Sequence, residues 1–95
     1  MITDEILMKF KRRMHLGDYE DENLKGILEK SANALIETCG EYDMSDGAFE
    51  ELVFERSRYV YNDALEFFED NFLSDINKLI LKNAFEEFGD EDEAL

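Results

Sequence analysis

The chain has 95 residues and a formal net charge of −15, with 25 acidic against 10 basic side chains. A chain of this length forms one domain, which we place at residues 1–95. The charge excludes general DNA binding, because that requires basic side chains clustered on one face. There is no proline and there are only five glycines, which favours helix throughout. We therefore predict an all-α protein, a compact bundle of about four helices.

The sequence gives no sign of secretion or of a membrane span. Its one cysteine, Cys39, excludes an intramolecular disulfide. Acidic residues as early as Asp4 and Glu5 are untypical of a signal peptide, and no apolar run approaches the ~20 residues that cross a bilayer. We expect a soluble protein made in a reducing compartment.

The first two predicted helices have clear limits. Thr3 is a good N-cap for the first helix, and Gly17 can supply the left-handed residue that ends it. The second helix runs from about Asp21 to Cys39 and ends at Gly40. Gly26 lies inside it, where a glycine either weakens the helix locally or permits another helix to approach closely.

A loop over residues 40–46 leads to the third predicted helix, with Ser45 or Asp46 as its cap. Apolar spacing extends this helix from about Gly47 to Asp70. At 1.5 Å per residue it would be about 35 Å long. That is more than the bundle needs, so part of this long third helix is expected to meet neighbouring molecules.

Ser74 is predicted to cap the last helix, and Gly89 to end it before a mobile acidic tail, Asp90 to Glu93. The C-terminal half is dense in phenylalanine, and helical spacing predicts that most of these side chains lie in the core. They are Phe67, Phe68, Phe72, Phe85 and Phe88.

No catalytic, cofactor or metal site is legible in the sequence. His15, the single histidine, lacks a partner and is explained by its place at a helix C-terminus. Cys39 is expected to be a small buried hydrophobe. The acidic run Asp18-x-Glu20-x-Glu22 resembles a calcium loop, but Asn23 stands where such a loop needs glycine. We predict that the protein is not an enzyme and binds no cofactor.

Two groups of residues are candidates for contacts with other proteins. The first is a basic cluster with Lys9, Lys11, Arg12 and Arg13, in which Lys11, Arg12 and Arg13 can form a docking patch. The second comprises Arg56, Arg58, Tyr59 and Tyr61. The two tyrosines point about 200° apart on a helix, so at least one is expected to be exposed or at an interface. The arginines either pair with glutamates such as Glu55 on the same helix or reach an acidic patch on the next copy.

The stretch Phe54-Glu-Arg-Ser-Arg-Tyr-Val-Tyr-Asn-Asp-Ala-Leu-Glu-Phe-Phe-Glu-Asp-Asn-Phe72 resembles the signature helix of the head–tail connector, or adaptor, proteins of long-tailed bacteriophages. The opening Ile2-Thr-Asp-Glu-Ile-Leu, an acidic turn and a helix that ends in Cys39-Gly40 are similar too. The resemblance covers the chain from Ile2 to about Ile80.

This resemblance implies a helical, non-enzymatic virion protein at the head–tail interface. Such proteins form a ring, usually twelve-fold, beneath the portal and extend the DNA channel. They dock a head-completion (stopper) or tail protein, and DNA passes without specific binding. The segment around Arg56, Arg58, Tyr59 and Tyr61 would pack subunits together, and the segment from Ser74 onward would grip the portal.

The strong acidity also permits an alternative function. The protein would then be a small DNA mimic that inhibits a host nucleic-acid-binding protein.

Overall fold

The computed structural model describes the backbone of residues 1–93 and the side chains of residues 1–86. Over residues 1–93 the chain is all-helical, with no strand. It has five α-helices rather than the predicted four, and a short 3₁₀ turn. The elements are α1 (Asp4–Met14), α2 (Asp21–Cys39), α3 (Gly47–Tyr61), the 3₁₀ turn (Leu65–Phe67), α4 (Phe68–Asn71) and α5 (Leu73–Glu93).

The predicted start of α1 is confirmed, whereas its predicted end is wrong. The Thr3 hydroxyl accepts a hydrogen bond from the backbone N–H of Ile6 at 3.2 Å. The left-handed residue that ends the helix is His15, with φ 57°, and not Gly17. The backbone N–H of His15 donates to the carbonyl of Arg12, so the helix closes before the glycine is reached.

Both predicted limits of α2 are confirmed. The helix starts at Asp21 and ends at Cys39, and Gly40 follows with φ 110°. A Cβ atom at Gly40 would overlap the side-chain amide of Asn83 on α5. This position therefore needs glycine both for its backbone conformation and for the close approach of α5.

The long third helix predicted from Gly47 to Asp70 is wrong. Asp46 caps α3 as predicted, accepting from the N–H of Phe49 at 3.0 Å, but the helix ends at Tyr61. Asp63 adopts φ 57°, a conformation that aspartate tolerates better than most residues. The chain then turns, and α4 places Phe68 in the core at 2% exposure.

The limits predicted for the last helix also need correction. Helix α5 begins at Leu73, one residue before the predicted Ser74 cap, and it passes through Gly89 to Glu93. A glycine within a helix costs about 1 kcal/mol but does not by itself end the helix. Residues 90–93, predicted as a mobile tail, form the last backbone turn of α5, and their side chains lie outside the described residues.

The core lies where α1, α2 and α3 meet, and α4 and α5 extend it. The fully buried apolar side chains, each at 0% exposure, are Phe10, Leu24, Leu28, Phe49 and Val53. The molecule measures 55 × 27 × 17 Å. It is elongated because the second half of α5 continues beyond the contact between Asn83 and Gly40.

Candidate interface residues

The basic residues of α1 face acidic residues of α3. Lys9 Nζ lies 3.0 Å from Glu50 Oε2. Arg13 contacts both Glu51 and Glu55, with 2.8 Å between its Nη2 and Glu55 Oε1. Hydrogen bonds to Glu51, and then to Glu55, raise the pKa of Arg13 above its usual value despite partial burial. This seam joins two helices that lie about forty residues apart in sequence.

Arg13 also packs over an aromatic ring. Its guanidinium carbon lies 5.7 Å from the ring centroid of Phe54, whose side chain is buried at 4% exposure. A guanidinium at this distance gains from the ring's negative face. Arg13 is thus a structural residue of the α1–α3 seam.

Lys11 holds the turn between α1 and α2. Its ammonium group pairs with Asp18 and lies 2.8 Å from Asp21 Oδ1, and the residue is buried at 8% exposure. The hydrogen bond from Lys11 lowers the pKa of Asp18. Hydrogen bonds to Asp18 and then Asp21 raise the pKa of Lys11. The acidic run that resembled a calcium loop is thus partly neutralised by a lysine, and its later residues are helical.

Arg12 differs from its neighbours. It is exposed and forms no ion pair with any side chain of residues 1–86. Of the predicted docking patch of Lys11, Arg12 and Arg13, Arg12 is therefore the residue whose charge is not already paired with a described side chain.

Arg58 and Tyr59 belong to a cluster between α3 and α4. Of the two alternatives for Arg58, the structure shows the pair with Glu55 on the same helix, at 2.7 Å, and the Arg58 guanidinium lies 4.9 Å from the Tyr59 ring centroid. Tyr59 meets Phe68 and Phe72 edge to face, at 5.8 and 5.7 Å between centroids. These contacts fold the α4 segment back onto α3.

Tyr61, on the other side of α3, bonds to the start of α2. Its hydroxyl donates to Glu20 Oε2 at 2.7 Å, and this hydrogen bond, with partial burial, raises the pKa of Tyr61. Both tyrosines are half-buried and packed against the core. The two tyrosines point in opposed directions, but both make contacts within the chain. Their directions alone therefore do not indicate an interface.

Arg56 has a different environment from Arg58. Its Nη1 donates to Ser31 Oγ at 3.1 Å, and no carboxylate of residues 1–86 lies within ion-pairing distance. Burial lowers the pKa of Arg56, an effect that the charge of Glu69 partly offsets. A half-buried cation with one neutral hydrogen bond keeps several N–H donors available.

Several apolar side chains of the C-terminal half are exposed, although the sequence predicted that most of its phenylalanines lie in the core. Phe68 is buried and Phe72 half-buried, as expected, but Phe67 is 57% exposed and Phe85 is 72% exposed. Phe88 lies outside the described side chains. On α5, Leu81 is also 57% exposed. The spacing of residues 81, 85 and 88 was the available signal, since it forms an apolar stripe separate from the one with Ile76 and Leu79.

His15 and Cys39 are placed as structural residues. His15 is exposed at the end of α1, and Cys39 is buried at 2% exposure with its pKa raised by burial. Such a thiol is poorly reactive. Among the described residues, no group of three or more histidine, cysteine or carboxylate side chains could hold a metal ion.

The described helices include none that is both long and apolar enough to cross a membrane. Comparisons with family models, with curated proteins and with solved structures find no match to this chain.

Proposed function

We propose that this protein is a head–tail connector subunit that assembles into a ring under the portal of a bacteriophage head. The ring would extend the DNA channel and dock a head-completion or tail protein. The resemblance of the Phe54–Phe72 stretch to connector proteins motivates the proposal. The observation that carries it is α5, which projects from the fold with Leu81 and Phe85 exposed.

A projecting apolar helix favours an assembly role for a simple reason. Exposing large apolar side chains in water is unfavourable, and contiguous patches of them usually mark a surface that another protein covers. The rest of the molecule supplies the scaffold, since the ion pairs of α1 and α3 and the aromatic cluster of α4 are internal. The protein therefore offers α5 and Arg12 to partners.

The acidic surface suits a DNA channel. No carboxylate of residues 1–86 is buried, and those in ion pairs are Asp18, Asp21, Asp46, Glu50, Glu51 and Glu55. Twelve copies at −15 each would carry about −180 in total. Such a wall would repel phosphates and let DNA pass without gripping it.

The exposed carboxylates also favour a second candidate, a DNA mimic that occupies a host nucleic-acid-binding protein. The two candidates differ in what covers α5. A mimic acts through its charge alone, so Leu81→Asp would leave its inhibition unchanged. A connector subunit loses a contact surface with the same substitution.

Deletion of the gene from its phage tests the proposal. We expect cells to accumulate filled heads and separate tails, because the missing ring leaves the portal without a tail attachment site. Complementation with the wild-type gene should restore infectious particles, and complementation with Leu81→Asp should not. Normal yields of tailed particles from the deletion would overturn the proposed function.

A further inference from the structure

A second surface feature is a groove between the middle of α2 and the end of α3, which we call the Gly26 groove. It has a volume of about 400 Å³, and its apolar lining is Gly26, Ile27, Val60 and Leu65. The first two residues belong to α2, and Val60 lies in the last turn of α3. Apart from Arg56, none of its lining residues is among the predicted interface residues.

Gly26 is unusual because it occupies a helix interior without an evident reason within the chain. Glycine there is unfavourable relative to alanine. A Cβ atom built at Gly26 would meet no atom within 4 Å, so no described part of the chain uses the space that the glycine leaves. A residue without a side chain at the base of a groove allows a second helix to approach closely.

The groove also carries positive charge. Lys30 and Arg56 line it, and neither forms an ion pair with a side chain of residues 1–86. Glu22 is the one carboxylate of the lining. Among the described residues, the Arg56 guanidinium donates only to Ser31. Its remaining N–H donors are free to bind a carboxylate in the groove.

The projecting end of α5 has the complementary character. Leu81 and Phe85, four residues apart, lie on neighbouring turns of one face and are exposed. The sequence of residues 86–93 then contains six acidic residues. An apolar pair followed by acidic residues matches an apolar groove bordered by Lys30 and Arg56.

The α5 of the same chain does not lead to this groove. Leu73 and Leu35 line the same cavity, and Asn83 lies against Gly40, so α5 runs in the direction of the C-terminal end of α2. Gly26 is fourteen residues before Gly40, which is about 21 Å along the helix. The end of α5 therefore points away from the groove, and only another molecule can bring the two together.

We propose that the Gly26 groove receives the projecting end of α5 from a second copy of this chain, with Leu81 and Phe85 over Gly26. The acidic sequence that follows Phe85 is complementary in charge to Lys30 and Arg56. Groove and helix end are different surfaces at different ends of the molecule, so the contact is head-to-tail. Repetition of such a contact closes a ring when the rotation permits. This inference rests on the proposed function and names the contact between its subunits.

Pairwise cysteine cross-linking of the full chain tests this geometry. A mixture of Lys30→Cys and Phe85→Cys proteins, oxidised at high concentration, should give a disulfide-linked heterodimer. Its yield should be at least tenfold higher than the yield of homodimer from either variant alone. The wild type, whose single cysteine is buried, gives the background. Met8→Cys replaces Phe85→Cys as the matched control, because Met8 is similarly exposed at 55% on α1.

The outcomes are distinct. Absence of the Lys30–Phe85 cross-link, or an equal cross-link with Met8, overturns the inference. Cross-linking of Phe85→Cys with itself also overturns it, because that result means two α5 ends meet around a twofold axis. A ring on the portal without the cross-link contradicts this inference alone, whereas the cross-link without any ring contradicts the proposed function.

Substitution of Gly26 gives an independent readout. Gly26→Ala should raise the melting temperature of the chain, because alanine favours helix and has free space there. Introduced into the Lys30→Cys protein, Gly26→Ala should lower the yield of the heterodimer with Phe85→Cys. Gly26→Leu in the same protein should reduce that yield to background. If both variants cross-link as well as the parent protein, α5 does not pass over Gly26 and the inference fails.

Discussion

Arg13 and Glu51 form two parallel hydrogen bonds, 2.7 Å between Nη1 and Oε2 and 2.6 Å between Nη2 and Oε1. This bidentate geometry joins α1 to α3 across 38 residues of sequence. The neighbouring Arg12 makes no such contact with the described side chains. The two adjacent arginines thus have separate tasks, one in the fold and one open to partners.

Arg13→Ala should lower the free energy of unfolding by about 1 kcal/mol, because an ion pair and packing against Phe54 are lost together. Arg12→Ala is the matched control and should change it by less than about 0.5 kcal/mol. Urea unfolding followed by circular dichroism measures both. Equal effects of the two substitutions would contradict the assignment of Arg13 to the α1–α3 seam.

Ser57 and Ser31 make a second matched pair. Both are fully buried, but the Ser57 hydroxyl has no hydrogen-bond partner among the described residues, whereas Ser31 accepts from Arg56. Ser57→Ala should therefore be neutral or stabilise the fold by up to about 1 kcal/mol. Ser31→Ala should destabilise it by about 1 kcal/mol, because it removes the hydrogen bond of a half-buried guanidinium. The reverse order in chemical denaturation would show that the Ser57 hydroxyl is bonded.

Asp46 should give the fold a pH-dependent contribution. The N–H of Phe49, and then Lys82, lower the pKa of its carboxyl below the ordinary value of 3.8. A carboxyl with a lowered pKa stabilises the folded state above that ordinary value, and the contribution is lost as pH falls through the folded pKa. Because protonation also relieves the self-repulsion of this acidic chain, the test must compare variants rather than follow one protein.

Asp46→Asn keeps a capping side chain without its charge. Near pH 7 it should be less stable than the wild type by about 0.5 kcal/mol. The difference should shrink once the pH is below about 4. Thermal unfolding of both proteins over this range measures it. A difference that stays constant with pH would show that the Asp46 charge contributes nothing.

Gly26, inside α2, and Gly40, which follows its last residue, should respond in opposite directions to alanine. Gly40→Ala forces a side chain into φ 110° and against Asn83, and it should destabilise the fold by about 2 kcal/mol. Gly26→Ala should stabilise it by about 0.5–1 kcal/mol. Melting temperatures of the two variants provide the measurement. Destabilisation by Gly26→Ala would mean that the chain itself uses the space beside this residue.

The limits of α2 and the starts of α1 and α3 were predictable because their signals are local. Thr3 and Asp46 cap within three residues, and Gly40 ends a helix by its own conformation. The end of α3 was not predictable in this way, because a helical spacing of apolar residues continues through the turn, at Val60, Ala64, Phe67 and Phe68. The left-handed Asp63 is favoured there by the burial of Phe68, a tertiary effect.

The candidate interface residues show the same difference between local contacts, which the sequence predicts, and tertiary contacts, which it does not. The Arg58–Glu55 pair, three residues apart, was visible in the sequence. The partners of Lys9 and Arg13 were not, because Glu50, Glu51 and Glu55 come close only when α1 packs on α3. In a sequence with 25 acidic residues, composition cannot indicate which carboxylate a given arginine meets.

Imaging of this protein mixed with a portal protein from the same genome tests the proposed ring most directly. Electron microscopy should show a ring of additional density at the base of the portal, with the portal's symmetry. Leu81→Asp should remove this density, whereas Arg13→Lys, which preserves the charge of the α1–α3 seam, should retain it. A portal that stays bare at saturating concentrations of folded wild-type protein would contradict the proposal that this protein forms a ring on the portal.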